Sequence, residues 1–254
     1  MTGMDVSVVV PAYNEAKRLP GSLSRVLSYL DGHCRDRAEV IVVDDGSTDD
    51  TASLVERVVS CDSRVRLLRN GRNRGKGFSI RRGVLASRGD LVLTTDADLS
   101  APIEEFEKLY FAIRDGADIA VGSRAIEGAQ IELRQPAVRR TLGRLFNLIV
   151  RTLVVPGIAD TQCGFKLFRR SAALEVYGRC QLDGFATDVE ALYIARRLGI
   201  TVKEIPVRWR HAEGSTVRPL RDGLRMCADV LAMAWRTRDP RTVGVVSGER
   251  GTEI

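Results

Sequence analysis

Five short apolar runs, each closed by a polar loop and followed by a helical pattern, limit most what this chain can become. The runs lie at residues 6–10, 40–43, 65–68, 91–94 and 119–121. They are rich in Val, Ile and Leu and too short for anything but buried strands. Between them run amphipathic stretches ending near Leu30, Val59 and Ser87, and a fourth that starts at Pro102. Ser47 or Asp49 is placed to cap the second of these. Strict alternation of strand and helix predicts an α/β fold, a Rossmann-like, mostly parallel sheet with helices on both faces. Such sheets bind ligands at the carboxyl ends of their strands. The polar loops fall at those ends, which is the first functional signal in the chain.

The second half is less regular. Residues 136–155 read as a helix with a basic stripe, 160–168 as a loop entering a strand, 187–198 as a helix and 202–209 as a strand. Residues 220–235 form a last amphipathic pattern, and from 237 the chain reads as a frayed tail, leaving 1–236 as one domain. At 254 residues, 44% hydrophobic and 28% charged, the composition excludes a disordered or fibrous protein. Its net charge is +6, and only five cations are Lys (17, 76, 108, 166 and 203). Arginine forks onto phosphate, so the excess favours a phosphate-bearing partner, unless it reflects a coding bias. The arginines are dispersed without an aromatic-basic module, which argues against nucleic acid. Five scattered cysteines (34, 61, 163, 180 and 227) read as reduced, buried thiols of a cytoplasmic protein. No secretory leader is evident, and no apolar run reaches the ~20 residues of a membrane span. The expectation is a soluble or peripheral protein.

Asp96 and Asp98 flank Ala97 directly after the fourth run. Alternate side chains leaving a strand end can meet one hard divalent cation, Mg²⁺ or Mn²⁺, which prefers carboxylate oxygens and completes its shell with phosphate. An acidic turn after a strand is the plainer reading of that pair alone. Asp44 and Asp45 close the second run, where a carboxylate can accept from a ribose or base, or simply cap a helix. Residues 70–77 form a basic, glycine-rich loop that is not a Walker A loop: Gly77 stands where Ser or Thr is required. No G-x-G-x-x-G follows the first run. His33 and His211 are the only histidines and form no triad; His33 reads as a surface loop residue.

In order, Pro11-Ala-Tyr-Asn-Glu15, Asp44-Asp-Gly-Ser47, Asn73-Arg-Gly-Lys-Gly77 and Asp96-Ala-Asp98 resemble the nucleotide-sugar half of the family-2 glycosyltransferases of GT-A fold. Gly122-Ser-Arg124, Asp160-Thr-Gln-Cys-Gly-Phe-Lys-Leu-Phe168, Asp188-Val-Glu190 and Glu213-Gly-Ser215 narrow the likeness to polyprenyl- and dolichyl-phosphate glycosyltransferases, most of all the dolichyl-phosphate β-glucosyltransferase branch. The resemblance implies an inverting transfer from a UDP-sugar, UDP-glucose or UDP-N-acetylhexosamine, to polyprenyl phosphate. It implies that Pro11, Tyr13, Glu15 and Asp45 line the nucleoside pocket, with Lys76 in the donor site. Asp96, Ala97 and Asp98 would meet the diphosphate, the two carboxylates through Mg²⁺ or Mn²⁺. Arg124 and Arg139 match the arginines around donor and acceptor phosphates, with 125–138 a mobile acceptor loop between them. Asp160, Gln162 and Lys166 match the glycosyl pocket, and Asp188 and Glu190 the acidic pair near the sugar. Two departures stand out: Ser100 replaces a common Gln, and Thr216 a common Lys.

A lipid acceptor requires contact with a membrane. Val138, Leu142, Leu145, Phe146, Ile149 and Leu153 share one helical face, with Arg140, Arg144 and Arg151 opposite. Leu220, Leu224, Cys227, Leu231 and Trp235 repeat the pattern near the end. Each helix can pack on the sheet or lie at a lipid interface. The expectation is peripheral attachment at the cytoplasmic face, aided by a small membrane protein. Two rival readings follow from the same residues. Residues 91–100 also fit the first motif of a haloacid-dehalogenase-type phosphatase, although three ligand-like loops precede them. A non-catalytic nucleotide-sugar-binding scaffold is the other.

Overall fold

The computed structural model describes residues 5–34, 37–133, 150, 152, 154–211 and 219–236. Its centre is a seven-stranded sheet. The strands are β1 (Val6–Ala12), β2 (Ala38–Asp44), β3 (Val65–Arg69), β4 (Leu91–Thr94), β5 (Ile119–Ser123), β7 (Lys166–Arg169) and β8 (Val202–Pro206). Their order across the sheet is β3-β2-β1-β4-β7-β5-β8. All pairs are parallel except those of β7, which runs antiparallel to both β4 and β5. Strands β6 (Gln130–Leu133) and β9 (Arg208–Arg210) form a separate parallel ribbon.

Alternation sorts the side chains into two cores. Val8, Val10, Val40, Val42, Leu91 and Leu93 face one way. On that side lie α1 (Leu19–His33), α2 (Thr51–Cys61) and α4 (Phe106–Arg114). Val9, Val92, Ile119, Val121 and Phe168 face the other. There α3 (Lys76–Leu85), α5 (Arg170–Tyr177), α6 (Thr187–Arg197) and α7 (Pro219–Arg236) cover them. Burial on both faces is why the central strands read as unbroken apolar runs rather than as alternating ones. Val40, Ile41, Val42 and Val43 are all fully buried.

The chain order reverses at β1. From β1 it steps outward to β2 and β3, then returns to place β4 on β1's other side. That reversal leaves a crevice at the carboxyl ends of β1 and β4. Antiparallel β7 adds to it, because its first residue pairs with the last of β4, Thr94 against Lys166, and with Val121 of β5. The segment 160–166 therefore enters the sheet at the edge where the other strands leave it.

Several expectations are corrected. The single strand at 202–209 is two, broken after Pro206, which lacks an N–H for a ladder. The segment expected as a loop at 125–138 contains β6, paired with β9. Helix α5 went unread, although Ala172, Ala173, Val176 and Tyr177 are buried at helical spacing. Neither Ser47 nor Asp49 is the N-cap of α2; Asp50 occupies that position without a side-chain bond. Only Cys163 and Cys180 are buried thiols, while Cys61 at the end of α2 is exposed. His33 ends α1 rather than lying in a loop, and stacks on Tyr29. In α7 Val230 and Met233 are buried, Cys227 packs against the same core and Leu231 is exposed, while the side chains of Leu220, Leu224 and Trp235 lie outside the described ones. Apart from Val150 and Thr152, the helix expected at 138–153 lies outside the described residues, as does the tail from 237.

Candidate active site

Three loops at the carboxyl edge are laced together before any ligand is considered. After β1 the chain turns at Asn14, whose φ of 55° lies in the left-handed region that Asn tolerates better than most residues. Asn14 donates its N–H to Ser47 Oγ at 3.0 Å, and its Oδ1 accepts from the Thr48 N–H at 2.8 Å. The Glu15 N–H reaches Thr51 Oγ1 at 2.8 Å. The loop after β1 is thus held to the loop after β2.

Asp45 then holds the third loop. Its Oδ1 accepts from Asn70 Nδ2 at 2.7 Å and the Arg74 N–H at 2.9 Å; its Oδ2 accepts from the Gly75 N–H at 2.8 Å. Its neighbour Asp44 is also buried and accepts from the Ser47 N–H at 3.2 Å. The expected nucleoside-pocket role of Asp45 thus meets a carboxylate committed to the basic loop. That commitment positions Lys76, the first residue of α3. Pro11, Tyr13 and Glu15 are half-buried along the crevice. Burial raises the Glu15 carboxyl above its usual range, although its ion pair with Arg18 pulls the other way.

Asp96 and Asp98 follow β4 on a tight turn. The Leu99 N–H donates to the Asp96 carbonyl at 3.1 Å, and Asp98 Oδ1 accepts from the Ser100 N–H at 3.0 Å. Leu99 has a φ of 46°, a costly conformation for a branched residue, and its side chain is buried in the core. Ala97 between the acids is buried. The Asp96 carboxylate lies against bare backbone: a Cβ at Gly164 would sit 2.3 Å from its Oδ2.

Basic groups meet both acids. Lys76 Nζ lies 2.8 Å from Asp96 Oδ1 and 3.4 Å from Asp188 Oδ2. Arg18 Nη1 lies 3.5 Å from Asp98 Oδ2. Burial opposes ionisation of Asp96, but the Lys76 ammonium outweighs it and holds the carboxyl below its usual range. Burial likewise works against the Lys76 charge, and Asp188 and Asp96 more than reverse it. Asp188, in the first turn of α6, also pairs with Lys166, whose Nζ donates to the Cys163 carbonyl at 2.5 Å. Lys166 is fully buried, so this pair is part of the interior.

Glu190 does not join Asp188. Two residues apart on a helix point about 200° apart, and the Glu190 carboxylate accepts from the Gln181 and Leu182 N–H groups, both at 2.9 Å. Burial raises its pKa despite those donors. The carbonyl of Asp183, in the segment Glu190 holds, accepts from the Gly77 N–H at 2.8 Å, so Glu190 steadies the start of α3.

At the end of β5, Arg124 forks onto Asp160, with Nε to Oδ2 at 2.7 Å and Nη2 to Oδ1 at 2.9 Å. Asp160 also accepts from the Gln162 N–H at 3.2 Å, and its own N–H reaches Glu204 at 2.9 Å. Burial opposes the charges of Arg124 and Asp160, yet each partner overrides it, raising the arginine and lowering the acid. Asp96 adds to the stabilisation of Arg124. The Arg124 guanidinium carbon lies 5.3 Å from the centre of the Trp209 ring, which in turn stacks on His211. Trp209 lines a small hollow with Asp96, Ser100 and Gly164. Sequence reasoning passed over Trp209, Arg18 and Gly164; the third stands in the Asp160–Phe168 motif and was the one most open to notice. Arg139 lies outside the described residues.

Among the described residues no three His, Cys, Asp or Glu side chains converge on a point that would hold a metal. The protein offers two carboxylates, and the ammonium on Asp96 marks that oxygen as a place where positive charge is stable. A hard cation completing its shell with water and phosphate fits such a pair.

The family model for glycosyl transferase family 2 matches residues 7–176. This chain belongs to glycosyl transferase family 2. It is therefore a glycosyltransferase, and the phosphatase and scaffold readings fall away. It is 40% identical over 255 residues to a human dolichyl-phosphate β-glucosyltransferase, covering 93% of this chain and 79% of that one. The Dictyostelium discoideum enzyme of the same name is 36% identical, covering 91% and 74%. Among solved structures, glucosyl-3-phosphoglycerate synthase from Mycobacterium tuberculosis with Mn²⁺ and UDP-glucose aligns with a TM-score of 0.66 at 23% identity, covering 93% and 79%. Mannosyl-3-phosphoglycerate synthase from Rubrobacter xylanophilus aligns with a TM-score of 0.69 at 20% identity, covering 98% and 79%. These two show the shared GT-A fold.

Proposed function

We propose that this glycosyltransferase moves glucose from UDP-glucose to a polyprenyl phosphate, with inversion, using Mg²⁺ or Mn²⁺ at Asp96 and Asp98. One observation carries the reading: both carboxylates stand at the topological switch of the sheet, ringed by Lys76, Arg18 and Arg124. The name that the relatives share supports glucose as the sugar and a polyprenyl phosphate as the acceptor.

The chemistry suits these parts. A polyprenyl phosphate is already an anion at neutral pH and attacks the anomeric carbon without a strong base. The bond from that carbon to the diphosphate breaks as the new one forms, so a single in-line step inverts the centre and releases UDP. Bound at Asp96 and Asp98, a divalent cation supplies Lewis-acid stabilisation of the leaving diphosphate. Lys76 and Arg124 set positive charge where two anions must approach, held in place by Asp188 and Asp160. Asp188 has both oxygens engaged by lysines, which fits a positioning role better than proton abstraction.

The lipid acceptor places the enzyme at a membrane surface, and we infer peripheral attachment at the cytoplasmic face, assisted by a small membrane protein. Among the described residues no helix is long and apolar enough to cross a membrane. Exposed Leu231 on α7 offers one apolar contact to lipid.

A panel of radiolabelled nucleotide sugars with polyprenyl phosphate tests the reaction. The expected outcome is a chloroform-soluble product from UDP-glucose, abolished by EDTA and by Asp98→Asn. Product from UDP-N-acetylhexosamine alone would reassign the sugar. Undiminished transfer by Asp98→Asn would remove that residue from the site.

A further inference from the structure

We propose that Lys76 is a built-in counter-ion that makes metal uptake at Asp96 conditional on the donor. This role presupposes that the site takes a nucleoside diphosphate. The Lys76 ammonium occupies the same carboxylate oxygen that a divalent cation would use, 2.8 Å from Asp96 Oδ1. Two like charges cannot share that oxygen without strong repulsion. The ammonium is not free to swing away by itself. Its stem leaves the first residue of α3, between Gly75, whose N–H is held by Asp45, and Gly77, whose N–H is held by the Asp183 carbonyl. Its other carboxylate, Asp188, is already paired with Lys166.

A diphosphate changes that balance. Its oxygens give the Lys76 ammonium a new anionic partner beside Asp96, and Asp96 is released to the cation. Donor and metal then enter as a coupled pair, and a metal without a donor binds poorly. The arrangement limits metal bound with nothing to activate. It also keeps the Asp96 carboxylate compensated between turnovers.

The coupling is measurable without any acceptor or turnover. Free Mn²⁺ is titrated by electron paramagnetic resonance against wild type, Lys76→Met and Lys76→Arg, with and without saturating UDP. UDP binding is followed by calorimetry both in EDTA and with saturating Mn²⁺. Wild type is expected to bind Mn²⁺ about five- to 150-fold more tightly with UDP, the usual span of a coupling between sites. Lys76→Met is expected to bind Mn²⁺ more tightly than wild type in the absence of UDP, with the UDP enhancement largely lost. Lys76→Arg is expected to keep the enhancement. Lys76→Gln substitutes if the Met variant melts early by circular dichroism. An unchanged enhancement in the neutral variants, with no gain in metal affinity alone, would overturn the role of Lys76 while leaving the donor site standing. No UDP binding by any protein would instead overturn the donor reading. No Mn²⁺ binding under any condition would remove both the metal site and the coupling.

Discussion

Gly164 shows how closely single residues are specified. A methyl group there would lie 2.3 Å from Asp96 Oδ2 and 2.7 Å from Oδ1, so the carboxylate must move or the loop must open. Displacement of a reacting group by about 1 Å can cost 10²-fold in rate. Gly164→Ala is therefore expected to lower kcat by about 10²-fold while circular dichroism and thermal melting stay near wild type; wild-type kcat would mean Asp96 need not stand where it does. The acids themselves were legible, because a D-x-D after a buried run is a local pattern. Their partners were not. Arg18 precedes Asp98 by eighty positions and Trp209 follows it by more than a hundred, and no periodicity connects them. Asp45 and Glu190 were found as residues, but not their donors: Asp45 accepts from Asn70 Nδ2 and the Arg74 and Gly75 N–H groups, and Glu190 from the Gln181 and Leu182 N–H groups. Spacing names a carboxylate; only the folded loops decide what it accepts from.

Elements set where those residues meet. The parallel strands were readable from runs of Val, Ile and Leu, since burial on both faces erases alternation. Antiparallel β7 was not distinguishable from a parallel strand, because direction leaves no mark on four residues. Yet its direction brings Cys163, Gly164 and Lys166 to the crevice. Ribbon β6-β9 was hidden for a similar reason: a short parallel pair has no turn signal joining its strands. The segment 181–184 has a testable place here. Glu190→Ala would remove the acceptor of the part-buried Gln181 and Leu182 hydrogen bonds, costing about 0.5–1.5 kcal/mol for each. Urea unfolding should show that loss, with a raised KM for the donor, because Asp183 steadies the start of α3. Stability equal to wild type would show that the segment finds other acceptors.

The whole molecule carries its acid sensitivity in a few carboxylates. Glu39 accepts from Ser7, Arg66 and the Arg88 N–H, each at 2.7 Å. Glu105, fully buried, receives Lys108 and Arg208. For both, burial favours the neutral acid, but these donors win and hold the pKa below the ordinary 4.5. An acid depressed in the fold contributes stability above its unfolded pKa and loses it as pH falls through the folded value. Chemical denaturation is thus expected to show stability falling below about pH 4.5, and Glu105→Gln should flatten that fall. A slope unchanged in the variant would assign the acid sensitivity elsewhere. At this scale the sequence spoke most clearly: eight ordered motifs on an alternating α/β pattern pointed to one fold and one family.

The central claim is that Asp96 and Asp98 grip the diphosphate end of a nucleotide sugar. A crystal grown with UDP and Mn²⁺ tests it most directly, through the anomalous signal of the metal. The account predicts one Mn²⁺ peak between the Asp96 and Asp98 carboxylates, with the diphosphate beside it and the Lys76 ammonium turned onto a phosphate oxygen. A metal or a UDP molecule bound away from these two residues would contradict it.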